Sequence, residues 1–281
     1  MSGTASAVVH QATVREIAMG AYQELDFAMT PMGELVLRRR EVLSLDRAEV
    51  YEVKLAGQFL MSSLVYDAEI ALATRALSLV NHTSCTVLVG GLGLGYTAKA
   101  ALDDERVASV TVIECLDRVI DWYRRGLVPL AGALTNDPRC RLVHGDFFAA
   151  VGSPGAIPHQ PEQRSFATHA GTGLRCFDVI LLDIDHSPQC LLHPAHAAFY
   201  TPQGLRRLTD YLHPGSVFAL WSADPPQPSL LDGLQQAFAG VKVFESEFRN
   251  PLLNVDDVNY IITAQLAPGS EDLPGGVPRQ R

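Results

Sequence analysis

The chain has 281 residues, with 22 lysines and arginines against 31 aspartates and glutamates, so its formal net charge is −9. Apolar residues make up 47% and charged residues 19%, which excludes disorder as the main state and is typical of a chain that buries a core. The acidity argues against nucleic acid or an anionic membrane as the main partner, because both need a basic surface. It is compatible with a cationic substrate but does not select one.

Residues 1–80 predict a small β-rich subdomain. Residues 34–39 and 49–55 read as strands, and the second alternates apolar with charged side chains, as a half-exposed strand does. The three arginines at 38–40 are too few for a nucleic-acid patch, and we interpret them as a solvated strand end.

A helix is predicted at 67–80, where Ala, Leu and Ile are frequent, and it links the subdomain to the rest of the chain. Tyr66, Asp67 and Glu69 stand at its start and could border a pocket. Acids are common in the first turn of a helix because they interact favourably with the helix dipole. This structural role is the first expectation for Asp67 and Glu69.

Residues 81–267 predict a Rossmann-like α/β domain. Apolar runs alternate there with helical stretches, as in a parallel sheet covered on both faces. The runs are 86–89, 110–113, 140–143, 179–182, 217–220 and 259–263. Residues 152–175 lack periodicity and predict a long loop insertion, and residues 268–281 predict a flexible tail.

A glycine-rich turn follows the first of these strands. Gly91, Gly93 and Gly95 lie between the strand and a helix, where glycines let a ligand approach the backbone and the helix N-terminus offers unpaired N–H groups. Glu114 stands 19 residues after Gly95, at the end of the next strand, where a carboxylate accepts the hydroxyls of a ribose. The turn fits both the G-x-G-x-x-A pattern of dinucleotide enzymes and the G-x-G-x-G turn of S-adenosylmethionine enzymes, so nucleoside binding is predicted without a choice between them.

Two further strand ends carry acids. Asp146 and Phe147 follow the third strand, where an acid binds an adenine amino group and a ring packs on the base. Asp183, Asp185 and His186 follow the fourth strand, at the edge where open α/β sheets bind ligands.

The chain resembles the spermidine synthase (polyamine aminopropyltransferase) family. The resemblance is carried by the glycine turn, Glu114, Asp137-Pro138-Arg139 before Gly145-Asp146, Leu182-Asp183, Phe199-Tyr200 and residues 212–218. It implies an S-adenosylmethionine-methyltransferase-like Rossmann fold behind a small N-terminal β-domain. It also implies transfer of an aminopropyl group from decarboxylated S-adenosylmethionine to an amine.

The same resemblance implies roles for the residues at the strand ends. Glu114 would hold the ribose and Asp146 the adenine. Asp183 would take a proton from the attacking amine, helped by Asp185 or His186. A small-molecule amine or another nucleophile would be the acceptor, and a homodimer is a possible assembly.

Three departures from the family pattern leave alternatives open. Leu94 stands where the family's glycine turn has the aspartate that grips the donor's amine. Residues 183–188 read D-I-D-H-S-P in place of D-S-S-D-P, and residues 55–60 lack the acid and the amide of L-D-G-x-x-Q. A methyltransferase that uses S-adenosylmethionine is therefore the second hypothesis. A non-catalytic nucleoside-binding protein is the third, and an NAD-dependent oxidoreductase rests on the glycine turn alone.

Other polar groups have ordinary interpretations. The acids, histidines and cysteine between 183 and 196 match no zinc spacing, so no metal is predicted. Asp224 could meet a cationic substrate, but its expected role is to cap a helix that begins near Pro225.

The cysteines predict reduced thiols, because they are scattered and contain no C-x-x-C pair. They are Cys85, Cys115, Cys140, Cys176 and Cys190. Residues 1–20 show no basic region followed by an apolar one, so no secretory signal is expected. No apolar stretch reaches the roughly 18 residues of a membrane span. A cytoplasmic protein without a membrane or nucleic-acid partner is the expectation.

Overall fold

The computed structural model of the chain describes residues 19–152, 177–252 and 254–268. The predicted loop at 152–175 and the predicted tail at 268–281 lie outside these described residues, apart from their first positions. The described chain forms a four-stranded antiparallel sheet and then a seven-stranded sheet with helices on both faces. None of the described helices combines the length and apolar character needed to cross a membrane.

The N-terminal sheet is antiparallel throughout. Its strands, in order, are β1 (Met19–Thr30), β2 (Gly33–Val42), β3 (Ala48–Leu55) and β4 (Gln58–Ser62). Leu37 on β2 lies opposite Val53 on β3, and both side chains are buried. Ala56 and Gly57 join β3 to β4 with φ of 51° and 78°, the positive values that a tight two-residue hairpin turn favours. The two predicted strands lie within β2 and β3.

The larger sheet is mostly parallel. Its strands are β5 (Cys85–Gly90), β6 (Val107–Glu114), β7 (Cys140–His144), β8 (Phe177–Leu182), β9 (Leu212–Ser222), β10 (Gly240–Asn250) and β11 (Val255–Gln265). They lie in the order β10-β11-β9-β8-β5-β6-β7, and β5 to β9 run parallel. The apolar run at 259–263 lies in β11, which is antiparallel to β9, so its predicted parallel direction is wrong. The connection from β10 to β11 is too short for the crossover that a parallel pair needs.

Seven α-helices lie in the described residues. They are α1 (Asp67–Leu77), α2 (Tyr96–Leu102), α3 (Asp117–Arg124), α4 (Ala131–Thr135), α5 (Phe147–Gly152), α6 (Pro202–Leu208) and α7 (Pro228–Ala237). The predicted helix at 67–80 is present as α1 but ends earlier. The N–H groups of Leu79 and Val80 bond carbonyls three residues back, so the last turn tightens and the helix closes.

The pleat of the parallel strands divides the core between two faces. On β5, Val87 and Val89 pack in the cluster that includes α1 to α4, and Leu88 between them packs in the cluster that includes α5 to α7. On β8, Val179 and Ile180 divide in the same way. Both faces are covered, which explains why these strands read as unbroken apolar runs.

A buried carboxylate ties the N-terminal sheet to the larger domain. Asp26 on β1 is 8% exposed and accepts hydrogen bonds from Arg118 at 2.6 Å, from Trp122 Nε1 at 2.7 Å and from Arg125 at 3.1 Å. All three donors lie on α3 or at its end. The cluster holds the N-terminal sheet against α3 and thereby positions the wall that this sheet contributes to the cavity described below.

Replacing Asp26 with alanine is expected to lower the free energy of unfolding by about 3 kcal/mol, because the buried Trp122 N–H and two guanidinium groups lose their acceptor. Urea denaturation measures the loss. Asp232→Ala on the exposed side of α7 is the control, and it should change stability by less than about 0.5 kcal/mol. An Asp26 variant as stable as this control would contradict the docking role.

The strand order places one edge of the sheet in a special position. The chain leaves β5 toward β6 and β7 on one side and returns to β8 and β9 on the other, so the order reverses beside β5. Ligands of open α/β sheets bind outside the carboxyl ends of the strands at such a reversal. Gly90, Glu114 and Leu182 end their strands at this edge.

Candidate active site

A cavity of about 700 Å³ lies at this edge, between the larger sheet and the N-terminal sheet. The glycine turn, the ends of β6 and β8, residues 59–65 and the far end of β10 contribute to its walls. Seven of the nine predicted site residues line it: Gly91, Gly93, Glu114, Asp146, Phe147, Asp183 and His186. The cavity therefore brings together three acids that stand at or just after the ends of three different strands: Glu114, Asp146 and Asp183.

The glycine turn fits tightly against its neighbours. Gly91 has φ of 93°, and a Cβ there would lie 2.1 Å from the carbonyl oxygen of Asp183, so only glycine fits between β5 and β8. At Gly93, a Cβ would lie 2.6 Å from the side chain of Met61. Gly95 does not line the cavity but precedes α2 with φ of 87°. The turn is therefore shaped by contacts from β4 and β8 as well as by its own sequence.

Glu114 is held between the glycine turn and the end of β6. Its Oε2 accepts from the N–H of Leu92 at 3.0 Å, and its Oε1 accepts from the N–H of Leu116 at 2.8 Å. The residue is 8% exposed, and burial raises the pKa of its carboxyl although the two N–H donors oppose the rise. The carboxylate is thus fixed in place and still borders the cavity.

Asp146 and the two phenylalanines after it form another wall. Asp146 Oδ1 accepts from the N–H of Phe148 at 2.8 Å, which caps α5. Phe147 is 2% exposed and fills the space above Gly90, where a Cβ would meet its ring. The ring of Phe148 stacks on His196 with centroids 4.0 Å apart. This wall offers a carboxylate beside flat apolar surfaces.

Asp183 and Glu69 form an interacting pair of carboxyl groups in the cavity. Thr97 donates from Oγ1 to Asp183 Oδ2 at 2.6 Å, yet burial raises the pKa of Asp183. Burial, and next the charge of Asp183, raise the pKa of Glu69 to about 8. The two carboxyl groups therefore lie close enough together for the charge of Asp183 to disfavour the ionisation of Glu69.

The raised pKa of Glu69 predicts a pH dependence of stability. An acid whose pKa is higher in the folded state stabilises the fold below its unfolded pKa of 4.5, and this stability is lost as pH rises through about 8. Each unit of raised pKa corresponds to about 1.4 kcal/mol. We expect the unfolding free energy of the wild type to fall between pH 5 and pH 8 more steeply than that of Glu69→Gln. Urea denaturation at both pH values, with exposed Glu105→Gln as control, measures the difference, and parallel curves would contradict it.

Asp185 does not line the cavity, unlike Asp183 and His186, the other two residues predicted for catalysis. It is 2% exposed, and its carboxylate accepts from Leu192 N at 2.7 Å, His196 Nδ1 at 2.8 Å and Tyr200 Oη at 2.9 Å. The carboxylate therefore positions His196, which does line the cavity. His186, the next residue in the sequence, also lines the cavity.

Asp224 and the arginine run also differ from their predictions. Asp224 is exposed, does not line the cavity and accepts from Ser187 Oγ at 2.7 Å. The helix that follows begins only at Pro228, with Gln227 preceding it, so Asp224 caps no helix. Arg38 and Arg40 lie inside β2 on one face and bind the buried carboxylate of Glu52 at 2.5 Å and 2.7 Å, so these two arginines do not form a solvated end.

Several lining residues were not assigned to the site from the sequence. Met61 accepts from the N–H of Leu94 at 3.2 Å, and Trp221, Phe148 and His196 complete the walls. The sequence did place Glu69 in the first turn of a helix, three positions after Tyr66. Acids are common there because of the helix dipole, so the position alone did not assign Glu69 to the site. Within the described residues, no three histidines, cysteines or acids are grouped so that they could hold a metal ion.

Comparisons with known proteins identify the fold. No protein-family model matches the chain, and no curated protein sequence matches it. Among solved structures, spermidine synthase from Thermotoga maritima matches with a TM-score of 0.62 and 18% identity, over 88% of this chain and 74% of that one. A spermidine synthase in complex with the transition state analogue AdoDATO matches with a TM-score of 0.61 and 17% identity, over 88% of this chain and 73% of that one. A probable spermidine synthase from Corynebacterium glutamicum matches with a TM-score of 0.56 and 16% identity, over 91% of this chain and 83% of that one.

At these identities the likeness is one of fold. The chain has the Rossmann-like fold of the spermidine synthases, with an antiparallel N-terminal sheet before it, so the predicted fold class is confirmed. The roles of the individual site residues stay predictions.

Proposed function

We propose that this chain is a transferase that moves an aminopropyl group from decarboxylated S-adenosylmethionine to an amine acceptor. The observation that carries the proposal is the pair of Glu69 and Asp183 in the same cavity as the glycine turn and Glu114. The pair supplies a proton acceptor next to the place where a nucleoside donor would bind.

The donor's adenosine would lie along the glycine turn. Glu114, fixed by two backbone N–H groups, would accept from the ribose hydroxyls, as acids at this strand end do in Rossmann-like folds. Asp146 would accept from the adenine amino group, with the base against the ring of Phe148. Both carboxylates line the cavity, and both end strands at the edge where the strand order reverses.

The reaction needs a base because the acceptor is an amine. Free alkyl amines have a pKa near 10, so the nitrogen must lose a proton before its lone pair attacks. Asp183 would take that proton, and the lone pair that it frees would then form a bond to the carbon next to the sulfonium. The carbon–sulfur bond breaks, its electron pair returns to sulfur, and methylthioadenosine leaves. The raised pKa of Asp183 makes it a stronger proton acceptor than an ordinary carboxylate.

Methyl transfer from S-adenosylmethionine is the second candidate. Leu94 is fully buried in the apolar core and does not line the cavity, so the glycine turn offers no acid to the primary ammonium of the aminopropyl donor. This feature favours S-adenosylmethionine as the donor, if its recognition does not need an acid at this position.

One experiment separates these candidates. The protein is incubated with each donor and with butane-1,4-diamine or a cell extract, and the nucleoside product is identified by mass spectrometry. Methylthioadenosine is the expected product, and S-adenosylhomocysteine would favour methyl transfer. Tight nucleoside binding with neither product would favour a non-catalytic role. Assembly as a homodimer and a cytoplasmic location stay predictions.

A further inference from the structure

We infer that the acceptor is an amine with a single amino group on an apolar body, rather than a diamine or a polyamine. The inference rests on the proposed function and narrows its substrate. It follows from which carboxylates of the cavity are free to meet an ammonium group, and from what surrounds them.

Five acids line the cavity among the described residues: Glu52, Glu69, Glu114, Asp146 and Asp183. Glu52 is 4% exposed and already binds the guanidinium groups of Arg38 and Arg40. Arg40 lines the cavity as well, so this corner presents a cation together with the acid. A second ammonium group gains little there, because the charge of Glu52 is already neutralised.

Two more acids are engaged at the nucleoside end. Both oxygens of Glu114 accept backbone N–H groups, and the residue borders the glycine turn. Asp146 lies beside Phe148 and caps α5 with one oxygen. These positions belong to the adenosine in the proposed function, so neither acid would be at the acceptor's far end.

The remaining acids are Glu69 and Asp183. They lie close enough together that the charge of Asp183 helps to raise the pKa of Glu69. Both carboxyl groups therefore meet the same end of an acceptor, the amino group that must lose its proton in order to react. No second carboxylate of the described residues is left for the other end of a diamine.

Most of the other side chains that line the cavity are apolar. Ile184 follows Asp183 in the lining, Leu60 lies on β4, and Leu64 and Val65 come from the segment between β4 and α1. Trp221, Phe248 and Leu252 add further apolar surface. An ammonium group placed against such side chains would lose its hydration without an ion partner, whereas an alkyl or aryl group would leave water favourably.

A pair of acceptors matched in length tests the inference. Pentan-1-amine and butane-1,4-diamine have the same number of heavy atoms and differ by a methyl group in place of the second amino group. We expect kcat/KM for nucleoside product formation to be at least about 10-fold higher with pentan-1-amine. Equal values, or a preference for the diamine, would overturn the inference.

Amine binding keeps the test independent of the reaction. If neither donor yields product with any amine, the proposed function fails, and calorimetry of each amine in the presence of methylthioadenosine then decides the inference. Tighter binding of pentan-1-amine supports it. Tighter binding of the diamine, equal binding, or no binding of either amine overturns it.

A variant extends the comparison. Ile184→Asp adds a carboxylate to the apolar wall and should shift the preference toward butane-1,4-diamine by at least about 10-fold, with the fold checked by thermal unfolding. Val243→Asp places the same change at an exposed site on β10 and should leave the preference unchanged. A folded Ile184 variant with the wild-type preference would count against the inference.

Discussion

Replacing Asp183 with asparagine is expected to lower kcat by at least about 100-fold, the contribution typical of a general base, while nucleoside affinity stays within about 2-fold. Asparagine keeps the shape of the side chain and an oxygen for the hydroxyl of Thr97, but it cannot take a proton from the acceptor amine. Steady-state kinetics with saturating donor measures kcat, and calorimetry with methylthioadenosine measures the affinity.

Two comparisons make the Asp183 result specific. Asp117→Asn changes an exposed acid at the start of α3 and should leave both quantities unchanged. Glu69→Gln removes the other member of the carboxyl pair. An Asp183 variant at full rate would show that the base assignment is wrong, and a large loss in the Glu69 variant alone would move the role to Glu69.

Replacing Glu114 with alanine is expected to weaken nucleoside binding by about 100-fold or more, because two hydrogen bonds from the ribose to a charged acceptor are lost. The same change removes the acceptor of the Leu92 and Leu116 N–H groups, so the glycine turn also loses its anchor. Calorimetric titration with methylthioadenosine measures the affinity, and thermal unfolding of the free protein shows whether the fold itself is affected.

Glu105→Ala is the matched control for Glu114. It changes an exposed acid in the loop before β6 and should bind nucleoside as the wild type does. If a folded Glu114 variant retained wild-type affinity, the ribose role would be excluded.

The fold was largely readable from the apolar pattern. Strands buried on both faces carry continuous apolar runs, so β5 to β9 and β11 were each found. β10 was missed because it carries no continuous apolar run, the pattern by which the strands of this sheet were found; it lies at the edge, where its side chains are half-buried or exposed. The predicted direction of β11 was wrong because an apolar run looks the same in a parallel and an antiparallel strand. Only the short connection from β10 sets the direction of β11.

Residues of the candidate site could be predicted from the sequence where their position is set by the strand that they end or follow. Glu114, Asp146 and Asp183 stand at or just after strand ends, and parallel strands bring their ends to one edge. Asp185 and His186 differ only by one position in a turn, and the bonds from Leu192, His196 and Tyr200 draw Asp185 away from the cavity.

The sequence by itself determined the α/β class, the edge of the sheet at which the cavity lies and three of its acids, because strand periodicity, glycine turns and strand ends are set by neighbouring residues. Only the tertiary structure decided the chemistry of the cavity. The pKa of Glu69 depends on burial and on Asp183, more than a hundred positions away, and Glu52 is neutralised by arginines from a different strand. Charge balance and desolvation arise from groups that meet only on folding, so the electrostatics of the cavity follow from its packing.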